Sequence, residues 1–215
     1  MLAIVKSMSL HGLDGYLIHV QIDVSAGLPS WETVGLPDVS IRESKERVRA
    51  AIKNSGMEFP SRRIVVNLAP ADSRKEGAFF DLPIAIGILT ATGYIECRDI
   101  GDYVFIGELS LNGKINKVNG ILPMCIEAKK LGIKKIILPK ENAKEASIVK
   151  GLNIISADRL IEVVRHLNGE KILKPVEENC GQESNKKERN NVDFSDVKGQ
   201  EDIKRALEVS AGRWP

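Results

Sequence analysis

The chain has 215 residues, enough for one hydrophobic core with additional segments, and its 43% hydrophobic and 28% charged residues are ordinary for a globular protein. A formal net charge of +2 does not indicate a strongly basic nucleic-acid-binding domain, although it leaves room for a local basic patch. No apolar stretch is long enough to span a membrane, and the N-terminus does not resemble a signal peptide. We therefore expect a cytoplasmic protein without a membrane partner.

The three cysteines, Cys97, Cys125 and Cys180, lie far apart and lack the Cys-x-x-Cys spacing of zinc sites. The histidines His11 and His19 have no carboxylate or cysteine at ligand spacing. We therefore expect neither a bound metal nor a disulfide framework.

The first sixty residues predict a β-hairpin, a further strand and a helix. Alternating apolar residues over 2–24 predict two antiparallel strands, and an extended segment follows over 31–36. The spacing of apolar residues then predicts a helix over 41–54, for which Asp38 or Ser40 can supply the N-terminal cap.

One side of that helix is basic. It carries Arg42, Lys45, Arg49 and Lys53, interleaved with glutamates. We interpret this stripe as a solvated helix face, and contact with phosphate groups is the alternative.

The stretch over 65–120 is the centre of the chain. An apolar strand over 64–68 leads through a polar loop over 71–77 into a helix over 81–93, whose apolar character predicts burial against the sheet. The dipeptide Asn112-Gly113 predicts a hairpin within 105–115 because both residues tolerate positive φ angles. The polar loop lacks the G-x-x-x-x-G-K-[ST] spacing of a phosphate cradle.

The remaining sequence alternates helices and strands and then changes in composition. We predict helices over 121–131, 142–149 and 160–167 and strands over 135–139 and 153–156, which favours a sheet covered on one face with His166 exposed. The polar segment over 171–193 has little to bury and predicts a linker that can be disordered. A further helix is predicted over 201–210.

Two motifs resemble the proteolytic domain of the Lon family, which shares its fold with the second domain of ribosomal protein S5. They are KEGAFFDLPIAIGIL at 75–89 and GELSLNGKINKVNGILPMCIEAKKLGIKKIILPKEN at 107–142. The resemblance implies an α+β fold with a mixed sheet and helices packed mainly on one face. It places the nucleophilic serine of that family at Phe79 and its catalytic lysine at Leu122. Neither side chain can act as nucleophile or base, so we expect no catalysis by this pair.

Nearly the whole chain resembles the magnesium-chelatase-like AAA+ ATPases of the ComM/YifB family. The phrases that carry this resemblance are VGLPD at 34–38, NLAPAD at 67–72, FDLPIA at 80–85 and DVKGQE at 196–201. It implies a Lon-like domain without a catalytic dyad over 1–170, a linker over 171–193 and a truncated start of an ATPase domain over 194–215.

The same resemblance implies nucleotide chemistry for the complete family protein. Val197, Gly199 and Gln200 would flank the adenine pocket of an attached AAA+ domain, but no Walker A loop follows within this sequence. We therefore expect no cofactor in this chain, and ATP, Mg²⁺ and assembly into a homo-hexamer only in the full-length protein. The family implies a role in handling DNA during natural transformation and recombination.

Three functions stay open at this level. The first is a non-catalytic interaction or regulatory domain of the attached ATPase. The second is a Lon-like peptidase with a relocated nucleophile, for which Lys75, Lys114 and Lys117 are the bases closest in sequence. The third is a direct DNA-binding module.

The third function depends on a continuous basic surface. Arg62 and Arg63, together with Arg74 and Lys75, form the densest positive region near the loop that the Lon resemblance places at the active site. If the domain contacts DNA or an acidic partner, we expect the contact at these four residues, and the alternative is charge balance with Asp72, Glu76 and Asp81.

Overall fold

The structure is a computed structural model that describes residues 1–71, 75–176 and 199–211. Two compact units divide the chain, Met1–Cys180 and Gly181–Pro215. The predicted residues Arg74, Cys180 and Val197, and most of the predicted linker, lie outside the described residues.

The strands are β1 (Leu2–His11), β2 (Asp14–Ser25), β3 (Ser30–Val34), β4 (Arg63–Ala69), β5 (Tyr103–Phe105), β6 (Glu108–Leu109), β7 (Ile115–Asn116), β8 (Lys135–Pro139) and β9 (Asn153–Ala157). The helices are α1 (Val39–Asn54), α2 (Asp81–Ala91), α3 (Ile121–Lys130), α4 (Ala143–Ala146), α5 (Leu160–Leu167) and α6 (Glu201–Ala211). Helix α6 belongs to the second unit, and all the other elements belong to the first.

Seven strands form one mixed sheet in the order β3-β4-β2-β1-β5-β8-β9. Strand β2 pairs antiparallel with β1 and with β4, as expected for an opening hairpin, whereas the other neighbours are parallel. Strands β6 and β7 pair separately as a short hairpin. The predicted turn at Asn112-Gly113 is present, with φ 79° at Gly113, but Phe105 belongs to the main sheet.

Apolar residues cover both faces of the sheet. The first core contains buried residues of α1, α2 and α5, and the second contains those of α3 and α4. The mixed sheet is confirmed, but the helices are divided between its two faces, with α1, α2 and α5 on one face and α3 and α4 on the other.

The C-terminal half of the sheet differs from the expectation of one covered face. In β8, Ile137 belongs to the first core, whereas Ile136 and Leu138 belong to the second. Successive residues of a strand point to opposite faces, so burial of all three requires cover on both sides. His166 is also buried rather than exposed, since its ring packs edge-on against Tyr103 and its Nδ1 accepts a hydrogen bond from Leu173 N at 3.1 Å.

Helix α2 packs directly on the central strands and is buried nearly all round, as predicted. A Cβ atom at Gly87 would lie 2.5 Å from Cγ1 of Ile22 on β2. Only glycine therefore permits this close approach of helix and sheet.

We predict that Gly87→Ala destabilises the protein by about 1–3 kcal/mol in urea unfolding, because overpacking outweighs the gain in helix propensity. Gly101→Ala is the matched control, since a Cβ atom there meets nothing within 4 Å and the φ angle is not positive. An equal loss in both variants would contradict the close packing of α2 on β2.

Candidate functional site

The segment over 75–82, here called the anchored segment, contains Phe79, the position that the resemblance assigns to the Lon nucleophile. Lys75 N donates to Leu36 O at 3.1 Å, and Lys75 O accepts from Asp38 N at 3.0 Å. Asp38 Oδ2 accepts from Gly77 N at 3.2 Å, while Asp38 Oδ1 accepts from Ile41 N at 2.8 Å and caps α1. One carboxylate thus joins the anchored segment to the start of α1.

The two positions of the expected dyad are filled by packed apolar side chains. Phe79 is half-buried and packs against both cores, with its ring centroid 4.7 Å from that of Phe80. Leu122 is half-buried against the second core, and its N–H donates to Glu145 Oε1 at 3.2 Å. Neither position offers an ionisable or nucleophilic group.

Two of the lysines considered as alternative bases, Lys75 and Lys114, contact groups other than a serine or cysteine. Lys75 is fully buried, and its ammonium group donates to the carbonyl oxygen of Pro70. Lys114 pairs with Glu141 at 3.2 Å. The nearby hydroxyl of Ser110 donates to Asn116 Oδ1 at 2.9 Å.

A buried ion pair fixes the start of α2. Asp81 is fully buried and binds Arg47 through two contacts, Nε to Oδ2 at 2.6 Å and Nη2 to Oδ1 at 3.1 Å. Arg47 Nη2 also donates to Ser40 O at 2.8 Å, and Leu109 N donates to Asp81 Oδ2 at 3.2 Å. Burial raises the pKa of Asp81 to about 6, and the Arg47 guanidinium opposes that rise.

The described members of the predicted positive region, Arg62, Arg63 and Lys75, do not lie together. Arg62 and Arg63 are exposed at the start of β4, and Lys75 follows its end. A strand of this length separates them by about 20 Å. Lys75 is buried as well, because its backbone pairs with the chain beside β3 and its side chain turns inward. Lys75 therefore shares no exposed basic surface with Arg62 and Arg63, and Arg63 pairs with Glu32 at 3.4 Å. Contact of these residues with DNA or with an acidic partner stays a prediction.

A different basic surface forms at the start of β4. It is a small cavity of about 130 Å³ between β3, α1 and the segment that precedes β4, here called the Trp31 pocket. The residues that define it are Trp31, Lys45, Arg49, Lys53, Phe59 and Arg62. The indole and phenyl rings are stacked, with centroids 6.2 Å apart and planes inclined by 18°.

Sequence reasoning missed this pocket because its residues lie far apart along the chain. Parallel pairing of β3 with β4 sets Trp31 opposite Ile64 and so brings it beside Phe59 and Arg62. The available signal was the spacing of Lys45, Arg49 and Lys53, which recur every four residues and share one helix face.

The expected nucleotide-flanking residues belong to the second unit, and the structure describes two of them. Gly199 and Gln200 precede α6 with φ angles of 74° and 58°, and Gln200 O accepts from Ile203 N and Lys204 N at the start of that helix. Val197 is outside the described residues. Nucleotide contact by these residues stays a prediction.

Two features are absent from residues 1–71, 75–176 and 199–211, the part of the chain that the structure describes. Within these ranges no group of three or more histidine, cysteine, aspartate or glutamate residues lies close enough to hold a metal ion. Within the same part of the chain, no helix is long and apolar enough to cross a membrane.

Comparison with known families decides where the chain belongs. The family model described as subunit ChlI of Mg-chelatase matches residues 20–142. The chain belongs to this Mg-chelatase family. The match includes the anchored segment, the Asp81–Arg47 pair and both positions of the expected dyad.

Relatives of this Mg-chelatase-like chain include Competence protein ComM of Haemophilus influenzae, which is 40% identical over 98% of this chain and 41% of its own length. YifB of Escherichia coli is 39% identical over 98% of this chain and 40% of its own length. Lon protease 2 of Bacillus subtilis is 28% identical over 75% of this chain and 32% of its own length, which supports the Lon-like fold. The chain spans about 40% of the length of ComM and YifB.

We predict that Arg47→Leu lowers the free energy of unfolding by about 3–5 kcal/mol at neutral pH, because it leaves Asp81 charged and buried without its partner. The pKa of Asp81 in the folded state is raised from 3.8 to about 6, so the folded chain retains a proton that the unfolded chain releases. The contribution of Asp81 to the free energy of unfolding is therefore greatest below about pH 4, and it is lost as pH rises through about 6. Because Arg47 opposes the rise of this pKa, the pKa of Asp81 in Arg47→Leu lies above about 6, and the loss should shrink as pH falls from alkaline values towards about 6.

Urea unfolding at several pH values measures this effect. Arg42→Leu is the control on the same helix and should change stability by less than about 0.5 kcal/mol, because Arg42 is exposed. The double variant Arg47→Leu/Asp81→Asn should recover much of the loss, since it removes the buried charge. A loss that is independent of pH would contradict the role assigned to Asp81.

Proposed function

We propose that this chain is a non-catalytic interaction or regulatory domain of a magnesium-chelatase-like AAA+ ATPase that takes part in DNA processing. The observation that carries the proposal is the packing of Phe79 and Leu122 into the cores of a Lon-like fold. A fold that keeps its architecture but carries apolar side chains at the positions of the catalytic dyad is suited to binding rather than to catalysis.

The relatives support the wider setting of this proposal. One of them is named Competence protein ComM, and the chain covers 41% of that protein's length. In our proposal the complete protein binds ATP and Mg²⁺, assembles as a homo-hexamer in the cytoplasm and acts on DNA. The present chain then contacts the attached ATPase domain and contributes neither the Walker A loop nor a catalytic residue.

The peptidase alternative has weaker support. It needs a serine or cysteine beside a lysine with a free amine. Lys75 and Lys114 both have other hydrogen-bond acceptors, and Ser110 donates to Asn116. We infer that the anchored segment acts as a structural joint.

The first test uses the chain itself as a peptidase. We expect no hydrolysis of fluorescein-labelled casein above the buffer rate, and no change when Ser110→Ala or Lys114→Ala is introduced. Hydrolysis that these substitutions abolish would overturn the non-catalytic assignment.

The second test addresses the regulatory role in a complete relative. In ComM of Haemophilus influenzae, deletion of the region that matches this chain should leave basal ATP hydrolysis within about threefold while natural transformation falls by at least tenfold, a loss that we attribute to regulation. Normal transformation by the shortened protein would contradict the proposal.

A further inference from the structure

We propose that the Trp31 pocket binds single-stranded nucleic acid, with a base against the aromatic rings and phosphates on the surrounding basic side chains. This inference deepens the proposed function. It rests on that function because a DNA-processing protein would bring single-stranded DNA to the pocket. It also makes the domain itself a nucleic-acid contact, at a surface that joins Arg62 to the basic stripe of α1.

The first argument is the charge of the pocket. Four of its lining residues are basic, namely Lys45, Arg49, Lys53 and Arg62, and none of its lining residues is acidic. The three cations of α1 recur every four residues, about 6 Å apart along the helix axis. A row of cations beside a groove is the arrangement that follows a nucleic-acid backbone in single-strand-binding proteins.

The nearby acids leave this charge largely uncompensated. Lys45 lies 4.0 Å from Glu46, and Glu32 already pairs with Arg63. In the described part of the chain, Arg49, Lys53 and Arg62 take part in no ion pair. Their guanidinium and ammonium groups are therefore available to bind an anion.

The second argument is the aromatic platform. Trp31 and Phe59 are half-buried, and the Arg49 guanidinium lies 5.8 Å from the centroid of the Phe59 ring. Trp31 Nε1 donates to Thr33 Oγ1 at 2.9 Å, which holds the indole in place and satisfies its only donor. The rings thus offer π surface with no base-specific hydrogen bond, which fits contact that tolerates any sequence.

The third argument is shape. A cavity of about 130 Å³ is smaller than the 300 Å³ or more that is usual for an enclosed small-molecule site. It adjoins a shallower depression of about 520 Å³ that also contains Phe59 and Arg62, and that reaches Tyr94. Glu58 lines this second depression. An extended strand fits two adjoining depressions with three aromatic rings better than a single compact nucleotide does.

The position of the pocket in the fold leaves it open. Strand β3 is an edge strand that pairs only with β4 in the main sheet. Edge strands and the loops beside them are common places for added ligands because their backbone groups are not all used. The pocket lies entirely within the first unit.

The experiment uses Trp31 as its own reporter. The chain contains two tryptophans, so Trp214→Phe leaves Trp31 as the sole indole. Titration with an oligothymidylate of about 15 nucleotides at low salt should quench its fluorescence, with a dissociation constant in the micromolar range. The logarithm of the affinity should fall with the logarithm of salt concentration with a slope of about −2 to −3, as four cations imply.

Matched variants separate the pocket from general charge. By anisotropy of a labelled strand, Arg49→Glu/Lys53→Glu should weaken binding at least tenfold and flatten the salt slope, and Phe59→Leu should weaken it about tenfold by removing a stacking ring. The control Lys129→Glu/Lys134→Glu makes the same change in net charge at exposed positions on and after α3. It should change affinity by less than about threefold.

Four outcomes would overturn this inference. They are absence of quenching at low salt, equal losses in the control and pocket variants, equal quenching by an oligoglutamate peptide, and displacement of the strand by thymidine monophosphate at matched nucleotide concentration. The last two would assign the pocket to acidic peptides or to free nucleotides. None of them bears on transformation by the shortened relative, so the two proposals fail separately.

Discussion

The buried carboxylate of Asp81 is the constraint on which the central part of the fold depends. It accepts hydrogen bonds from Arg47 on α1 and from the backbone of Leu109 on β6, while its own residue begins α2. Three elements that are distant in sequence therefore meet at one charged group. A buried carboxylate is costly unless it is paired, so the orientation of α1 against α2 is tied to this contact.

These contacts also explain how a Lon-like fold can be kept without peptidase activity. The anchored segment is held by Asp38 at one end and by Asp81 at the other, and between them Phe79 packs against both cores. In a peptidase the same stretch must stay open to a substrate and keep a nucleophile beside a base. Here its contacts are structural, and the charged, open surface lies instead around Trp31, at the other end of β4.

Local chemistry made much of this predictable. Asp38 as the cap of α1, the apolar run of α2 and the turn at Asn112-Gly113 each follow from a few neighbouring residues, and the structure contains all three. The order of the sheet and the burial of Lys75 could not be predicted in this way. Both depend on which distant strands pair, and a lysine in a polar loop gives no local sign that it turns inward.

The Trp31 pocket could not be predicted from the sequence for the same reason, because it depends on contacts between residues that are distant along the chain. Its basic helix face was visible in the sequence, but its aromatic partners are supplied by a parallel strand pairing and by the segment before β4. Charge alone then favoured a solvated surface, and the predicted cluster paired Arg62 with Lys75 because they are close in sequence rather than in space.

The central claim of this account is that the anchored segment is a fixed joint. The measurement that tests it most directly is amide hydrogen exchange at Lys75, Gly77 and Leu82, whose N–H groups donate to Leu36 O, an Asp38 carboxylate oxygen and Gly107 O. The account predicts exchange nearly as slow as in the core of β2, whereas fast exchange typical of an open loop would contradict it.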